Sequence, residues 1–118
     1  MRDFTDLRVW QRARCLSSHC HDITKSFPAS ERYGLTSQIR RCAVSVAANI
    51  AEGCGRETPA DLRRFLHISA GSLSELESHL LICSDLGLIS QEELRSSRAE
   101  IRTVRRMVHG FATKTQAW

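Results

Sequence analysis

An all-α, up-and-down antiparallel four-helix bundle is the fold this sequence predicts, on three observations. Apolar residues recur at steps of three and four along four long segments. Proline and glycine fall mostly between those segments rather than inside them, the only prolines being Pro28 and Pro59. The connections are roughly 3 to 8 residues long, too short to return along a helix, so sequence neighbours must run antiparallel. With 118 residues, 42% of them apolar, the chain 1–118 is expected to form one domain around one core.

Each element follows from local signals. The first helix is expected over about 6–25, where Val9, Ala13, Leu16, Cys20 and Ile23 form a stripe that continues to Phe27 and stops at Pro28. The second, over about 35–53, carries Leu35, Ile39, Cys42, Val46 and Ile50, and Gly53 and Gly55 close it. The third is expected over about 59–86. Thr58 can cap it, Pro59 suits its first position, and Asp61 stands where a capping-box carboxylate would. Leu62, Leu66, Ser69, Leu73, Leu76, Leu80 and Cys83 then make a heptad-like seam that lasts until Gly87. Gly71 interrupts this helix with a poor helix former, and close packing against Ala43 and Ala47 would compensate for it. The fourth helix is expected over about 90–114, with Ser90 and Glu93 as a capping box and Ile101, Val104, Val108 and Phe111 as its apolar edge.

Composition narrows the function classes. No segment approaches the roughly 18 apolar residues that span a bilayer, and the first residues lack the apolar run of a secretory signal, so a cytoplasmic protein that does not enter membranes is expected. Five cysteines, Cys15, Cys20, Cys42, Cys54 and Cys83, lack paired spacings and are expected to be small buried hydrophobes. His19, Cys20 and His21 do not make a metal site, because adjacent helical side chains point about 100° apart. Nothing pairs a nucleophile with a base, no glycine-rich phosphate loop follows a strand, and no cofactor is implied, so no enzyme is expected. Trp10, Tyr33 and Trp118 are too dispersed for a base-stacking platform.

The formal net charge of +4 is unevenly distributed, and arginine outnumbers lysine fifteen to two. On the fourth helix Arg95, Arg98, Arg102 and Arg105 repeat at three and four residues, with Arg106 beside them and His109 beyond. Such a stripe can track a phosphate backbone; the plainer account is a solvated face or a subunit boundary. A second basic group, Arg40, Arg41, Arg56, Arg63 and Arg64, is expected around the end of the second helix and the start of the third. There Glu52 stands where the helix dipole disfavours a carboxylate, so it needs Arg56, with Asn49 and Ser45 adding hydrogen bonds. Asn49, Glu52, Gly53, Gly55 and Arg56 are read as a polar tie that locks the following loop, the glycines supplying unusual backbone angles. Val44, Ile68 and Ile82 lie outside the core stripe and call for a second buried surface, which predicts a homo-oligomer.

Four stretches carry a resemblance: Phe4-x-x-Leu7-x-Val9-Trp10, Phe27-Pro28-x-x-Glu31-x-Tyr33-Gly34-Leu35-x-x-Gln38-Ile39-Arg40-Arg41, Ser45-x-x-x-Asn49-Ile50-Ala51-Glu52-Gly53-x-Gly55-Arg56, and Arg64-Phe65-Leu66-x-Ile68-x-x-Gly71-Ser72-x-x-Glu75-Leu76-Glu77. The chain resembles the bacterial four-helix bundle proteins encoded in intervening sequences of 23S rRNA genes. It is also similar to the accessory protein of diversity-generating retroelements, which pairs with a reverse transcriptase. The resemblance implies a bundle, assembly as a ring of five (a homopentamer), and no demonstrated enzymatic activity. Together these considerations predict a non-enzymatic oligomer that binds RNA or DNA through Arg95, Arg98, Arg102, Arg105, Arg106, Arg56, Arg63 and Arg64. The alternative is a scaffold for a protein partner or an accessory subunit of a nucleic-acid enzyme.

Overall fold

The computed structural model describes residues 3–116; Met1, Arg2, Ala117 and Trp118 lie outside them. The described residues form four α-helices, α1 (Arg8–Thr24), α2 (Leu35–Cys54), α3 (Pro59–Asp85) and α4 (Gln91–Thr115), with two short 3₁₀ turns, Phe4–Asp6 and Ala29–Glu31, and no strand. Each helix packs on its chain neighbours, α1 closes the ring against α4, and the diagonal pairs are held apart by the core. The up-and-down bundle is therefore formed, 46 Å long and 24 by 20 Å in section.

The boundaries fall where local chemistry places them. At α3, Thr58 Oγ1 accepts the Asp61 N–H at 3.1 Å and Pro59 occupies the first turn. The Asp61 carboxylate, however, turns to Arg64 at 3.4 Å instead of back to the cap. At α4 the capping box is complete, Ser90 Oγ accepting from Glu93 N and Glu93 Oε1 from Ser90 N. The first helix starts two residues later than its apolar pattern because Phe4–Asp6 forms a separate 3₁₀ turn, capped by Asp3, and Leu7 between them is extended. The turn from α3 to α4 is a Schellman motif: Leu88 N–H reaches Cys83 O at 2.9 Å, Gly87 N–H reaches Ser84 O at 3.0 Å, and Gly87 has φ +73. Glycine is required there because side-chain-bearing residues rarely adopt that angle.

The α3 seam from Leu62 to Cys83 is buried throughout and meets Leu16, Ile39, Val46, Ile50, Ile101 and Val104. Cys20, Cys42, Cys54 and Cys83 join it, and Cys15 is exposed, contrary to expectation, since it lies outside the Leu16–Cys20 stripe of α1. Burial pushes the thiols of Cys20 and Cys42 up to about 12 and that of Cys83 to about 11, so they remain protonated.

Two glycine roles differ from the sequence expectation. Gly71 points away from the seam and a Cβ built on it would meet nothing within 4 Å, so it does not seat Ala43 and Ala47. The small residue facing α2 in this register is Ser69, whose hydroxyl donates to Val46 O at 2.8 Å. Close approach occurs instead at Gly53, where a Cβ would come to 2.9 Å from Leu62 Cδ1, 3.0 Å from Phe65 Cβ and 3.2 Å from Leu62 O. Gly53 is helical and Gly55 has φ −83, so neither supplies an unusual backbone angle.

In urea unfolding, Gly53→Ala should lower the midpoint, overpacking at roughly 1–3 kcal/mol exceeding the helix-propensity gain of about 1 kcal/mol. Gly71→Ala should raise the midpoint by about 1 kcal/mol equivalent, with unchanged slope. A loss at Gly71 would mean that another surface packs there.

Candidate nucleic-acid interface

The outer face of α4 is basic because apolar residues at three- and four-residue steps commit the other face to the core. At about 100° per residue, Arg95, Arg102 and Arg106 fall within roughly 40° of one another, while Arg98 and Arg105 lie to one side, toward α3. The five arginines consequently do not act as one row. Arg98 Nε donates to Glu77 Oε2 at 2.9 Å and Arg105 Nη2 to Glu77 Oε1 at 3.0 Å, so one carboxylate on α3 holds two guanidinium groups from residues about two helical turns apart. The bonds from Arg105 and then Arg98 hold the half-buried Glu77 carboxyl below its usual range. That cluster keeps a net single positive charge.

Arg95, Arg102 and Arg106 are exposed and have no carboxylate partner among the described residues. Arg95, Arg98 and Arg102 border a shallow groove floored by Leu94 and Ala99. Glu100 offers no counter-charge to this face, since it turns to α1 and takes two bonds from Arg12, at 2.8 and 3.3 Å. The residue behind this arrangement, Glu77, was not singled out as a site residue in the sequence: it sits beside Leu76 with nothing local to mark its partners.

The second basic group is divided. Arg40 and Arg41 belong to the first half of α2, at the opposite end of the bundle from Arg56, Arg63 and Arg64. Arg63 is used by the fold: its Nη1 donates to Thr115 O at 3.0 Å and satisfies a carbonyl at the end of α4. Arg56 and Arg64 flank Phe65, their guanidinium carbons 4.9 and 4.5 Å from the ring centroid. The ring was not singled out from sequence, although its place beside Arg64 in the Arg64-Phe65-Leu66 motif is the signal that could have marked it. Arg56 reaches Glu52 only at 4.0 Å, both side chains being largely solvated, and its Nε is buried without a hydrogen-bond partner.

Asn49 does not bond Glu52. Its amide donates to Ser45 O at 2.8 Å and to Ser45 Oγ at 3.0 Å, and Ser45 Oγ meets Ser72 Oγ at 2.9 Å. Cys42 Sγ adds a bond to Ser72 O at 3.0 Å. These bonds run across to α3 and not to the loop that follows Gly53, while Gly53 sets the distance between the same two helices. His19 meets Ser97 Oγ at 2.9 Å and His79 meets Glu75 at 3.1 Å. Among the described residues no three His, Cys, Asp or Glu side chains are grouped to hold a metal ion, and no helix is long and apolar enough to cross a membrane.

Comparison with known proteins agrees with this architecture. No curated protein matches the chain. A crystal structure of a protein of unknown function from the S23 ribosomal protein family of Bacteroides thetaiotaomicron superposes with a TM-score of 0.82 at 19% identity, covering 89% of this chain and 95% of that one. At that identity the likeness is one of fold. The family model for the 23S rRNA-intervening sequence protein matches residues 5–110, nearly the whole bundle. Helix order, core register and this match lead to one conclusion: the chain belongs to the 23S rRNA-intervening sequence protein family.

Proposed function

We propose that the chain is a non-enzymatic, self-associating bundle that binds RNA through the outer face of α4. The observation that carries this is the set of three exposed guanidinium groups, Arg95, Arg102 and Arg106, with no carboxylate partner among the described residues. They extend over about 16 Å of helix, enough for a few successive phosphates. Phosphate contacts carry no base sequence, so binding is indifferent to sequence and extends to single-stranded DNA. Arg56 and Arg64 around Phe65 are auxiliary contacts; Arg63, Arg98 and Arg105, already engaged, are not primary ones.

Three contacts per subunit give weak binding, and repetition of the face around an assembly raises it through avidity. Self-association is supported by Val44, Ile68 and Ile82, which are 54, 42 and 44% exposed in the single chain. The ring of five implied by the resemblance would repeat the α4 face five times. The same apolar residues favour the second reading, a scaffold for a protein partner: Val44 joins Phe4, Trp10 and Ala47 along an apolar groove between α1 and α2.

Charge reversal separates the two. Arg95→Glu with Arg102→Glu and Arg106→Glu should weaken binding to a mixed RNA pool by at least about tenfold and flatten its salt dependence, about 0.7 log unit per lost phosphate contact per decade of salt. Light scattering should show the assembly mass unchanged. Equal RNA binding by variant and parent would rule out the α4 face, and absence of binding by an intact parent assembly at low salt would favour the scaffold.

Glu77→Gln tests the neutralising role of Glu77. Releasing Arg98 and Arg105 should tighten RNA binding several-fold while costing roughly 1 kcal/mol of stability. Because its bonds to Arg105 and Arg98 hold the Glu77 carboxyl below its ordinary value in the fold, its stabilisation is complete above the ordinary carboxylate range and is lost as pH falls through the lower folded value. The stability gap between parent and variant should therefore be constant near neutrality and close in acid.

A further inference from the structure

At the end of the bundle where α1 gives way to α2 lies a half-enclosed pocket of about 320 Å³, lined by Thr24, Lys25, Arg32, Thr36 and Arg40 around Phe27 and Pro28. That volume is at the lower end of ligand clefts, roughly 300–1,000 Å³, and exceeds what a lone ion needs. Three cations, Lys25, Arg32 and Arg40, line it, and no carboxylate among the described residues does. Two carboxylates stand at its margins: Asp22 pairs directly with Lys25 at 3.3 Å, both side chains solvated, and Glu31 Oε1 lies 3.5 Å from where a Cβ on Gly34 would sit, at the start of α2.

The polar groups of the pocket divide into fixed and free. Arg40 is fixed, its Nε donating to Thr24 Oγ1 at 2.9 Å and its Nη2 to His21 O at 3.3 Å. Thr24 Oγ1 also bonds Cys20 O and His21 O, so carbonyls at the end of α1, which would repel an anion, already have donors. Arg40 keeps further N–H groups beyond those bonds. The side chains of Arg32 and Thr36 have no partner among the described residues. Thr36 stands in the first turn of α2, a 20-residue helix whose N-cap, Gly34, offers no side-chain cap, so the positive helix end is shared between the pocket and the neighbouring Glu31 carboxylate.

We propose that this pocket is a binding site for a phosphate monoester, either a free small phosphate or the terminal phosphate of an RNA chain. Arg40 and Arg32 supply most of the charge, Lys25 turns from Asp22 to the anion, and Thr36 donates its hydroxyl. The site is separate from the α4 face, so it stands or falls independently of it.

The test titrates inorganic phosphate into the protein against chloride of matched ionic strength, following the Thr36 amide by NMR. Saturable movement of Thr36 is expected, weakened about tenfold or more in Lys25→Glu/Arg32→Glu. Those two exposed residues make no contact in the core, so this variant keeps the fold, and Arg102→Glu/Arg106→Glu should bind phosphate like the parent. A short RNA bearing a 5′-phosphate is then compared with its 5′-hydroxyl form. Preference for the phosphorylated form identifies a chain end as the ligand, and phosphate saturation without preference identifies a small phosphate. Thr36 movement no larger than in chloride, or equal binding by the Lys25→Glu/Arg32→Glu variant, overturns the proposal.

Discussion

Seating of α2 against α3 is the contact on which the remaining geometry depends. Along that interface the two backbones are brought together at Gly53, linked at Ser69 to Val46 O, and linked again where Cys42 and Ser45 meet Ser72. Each contact uses a small or short polar side chain, so the helices lie close while the hydroxyls of Ser69 and Ser45, the Cys42 thiol and the Asn49 amide all find partners. Once α3 is fixed in rotation, its leucine seam points to the centre and its flanks are assigned: Phe65 emerges beside Arg56, and Glu77 faces α4. The electrostatics of the surface thus follow from the packing of the core.

That dependence explains how charge is distributed on α4. A stripe of five arginines on one helix would repel itself and bind polyanions along its whole length. Glu77, supplied by a neighbouring helix, restrains two of them and leaves three, changing both the density and the position of positive charge. At the lower end of α3, aromatic stacking plays a comparable part for Arg56 and Arg64. Arginine suits both roles, since its planar group can fork to a carboxylate or lie on a ring.

Elements governed by local chemistry were legible in the sequence. Thr58-Pro59 and Ser90 with Glu93 mark helix starts within a few residues of chain, and the leucine spacing of α3 records which side is buried. Contacts between helices were not, because Arg98 and Arg105 find Glu77 at separations of 21 and 28 residues. The same gap reversed the glycine assignments. A Cβ on Gly71, conspicuous as a helix breaker, would touch nothing, whereas Gly53, expected to close α2 with an unusual backbone angle, is where two helices need the absence of a side chain. Arg40 was grouped with Arg56 by charge alone, and an antiparallel chain carries them to opposite ends.

The ring of helices is closed by a seam unlike the other three. Between α1 and α4 the interface is the sparsest, and its polar fasteners, Arg12 to Glu100 and His19 to Ser97, join residues 88 and 78 positions apart. Loop-closure entropy grows with the length of chain enclosed, so this seam carries the largest chain-entropy cost in the bundle, while the three hairpin-like interfaces carry little. Partial opening of the molecule accordingly begins with α1 swinging from α4, leaving α2, α3 and α4 as a connected triplet with its central contact intact.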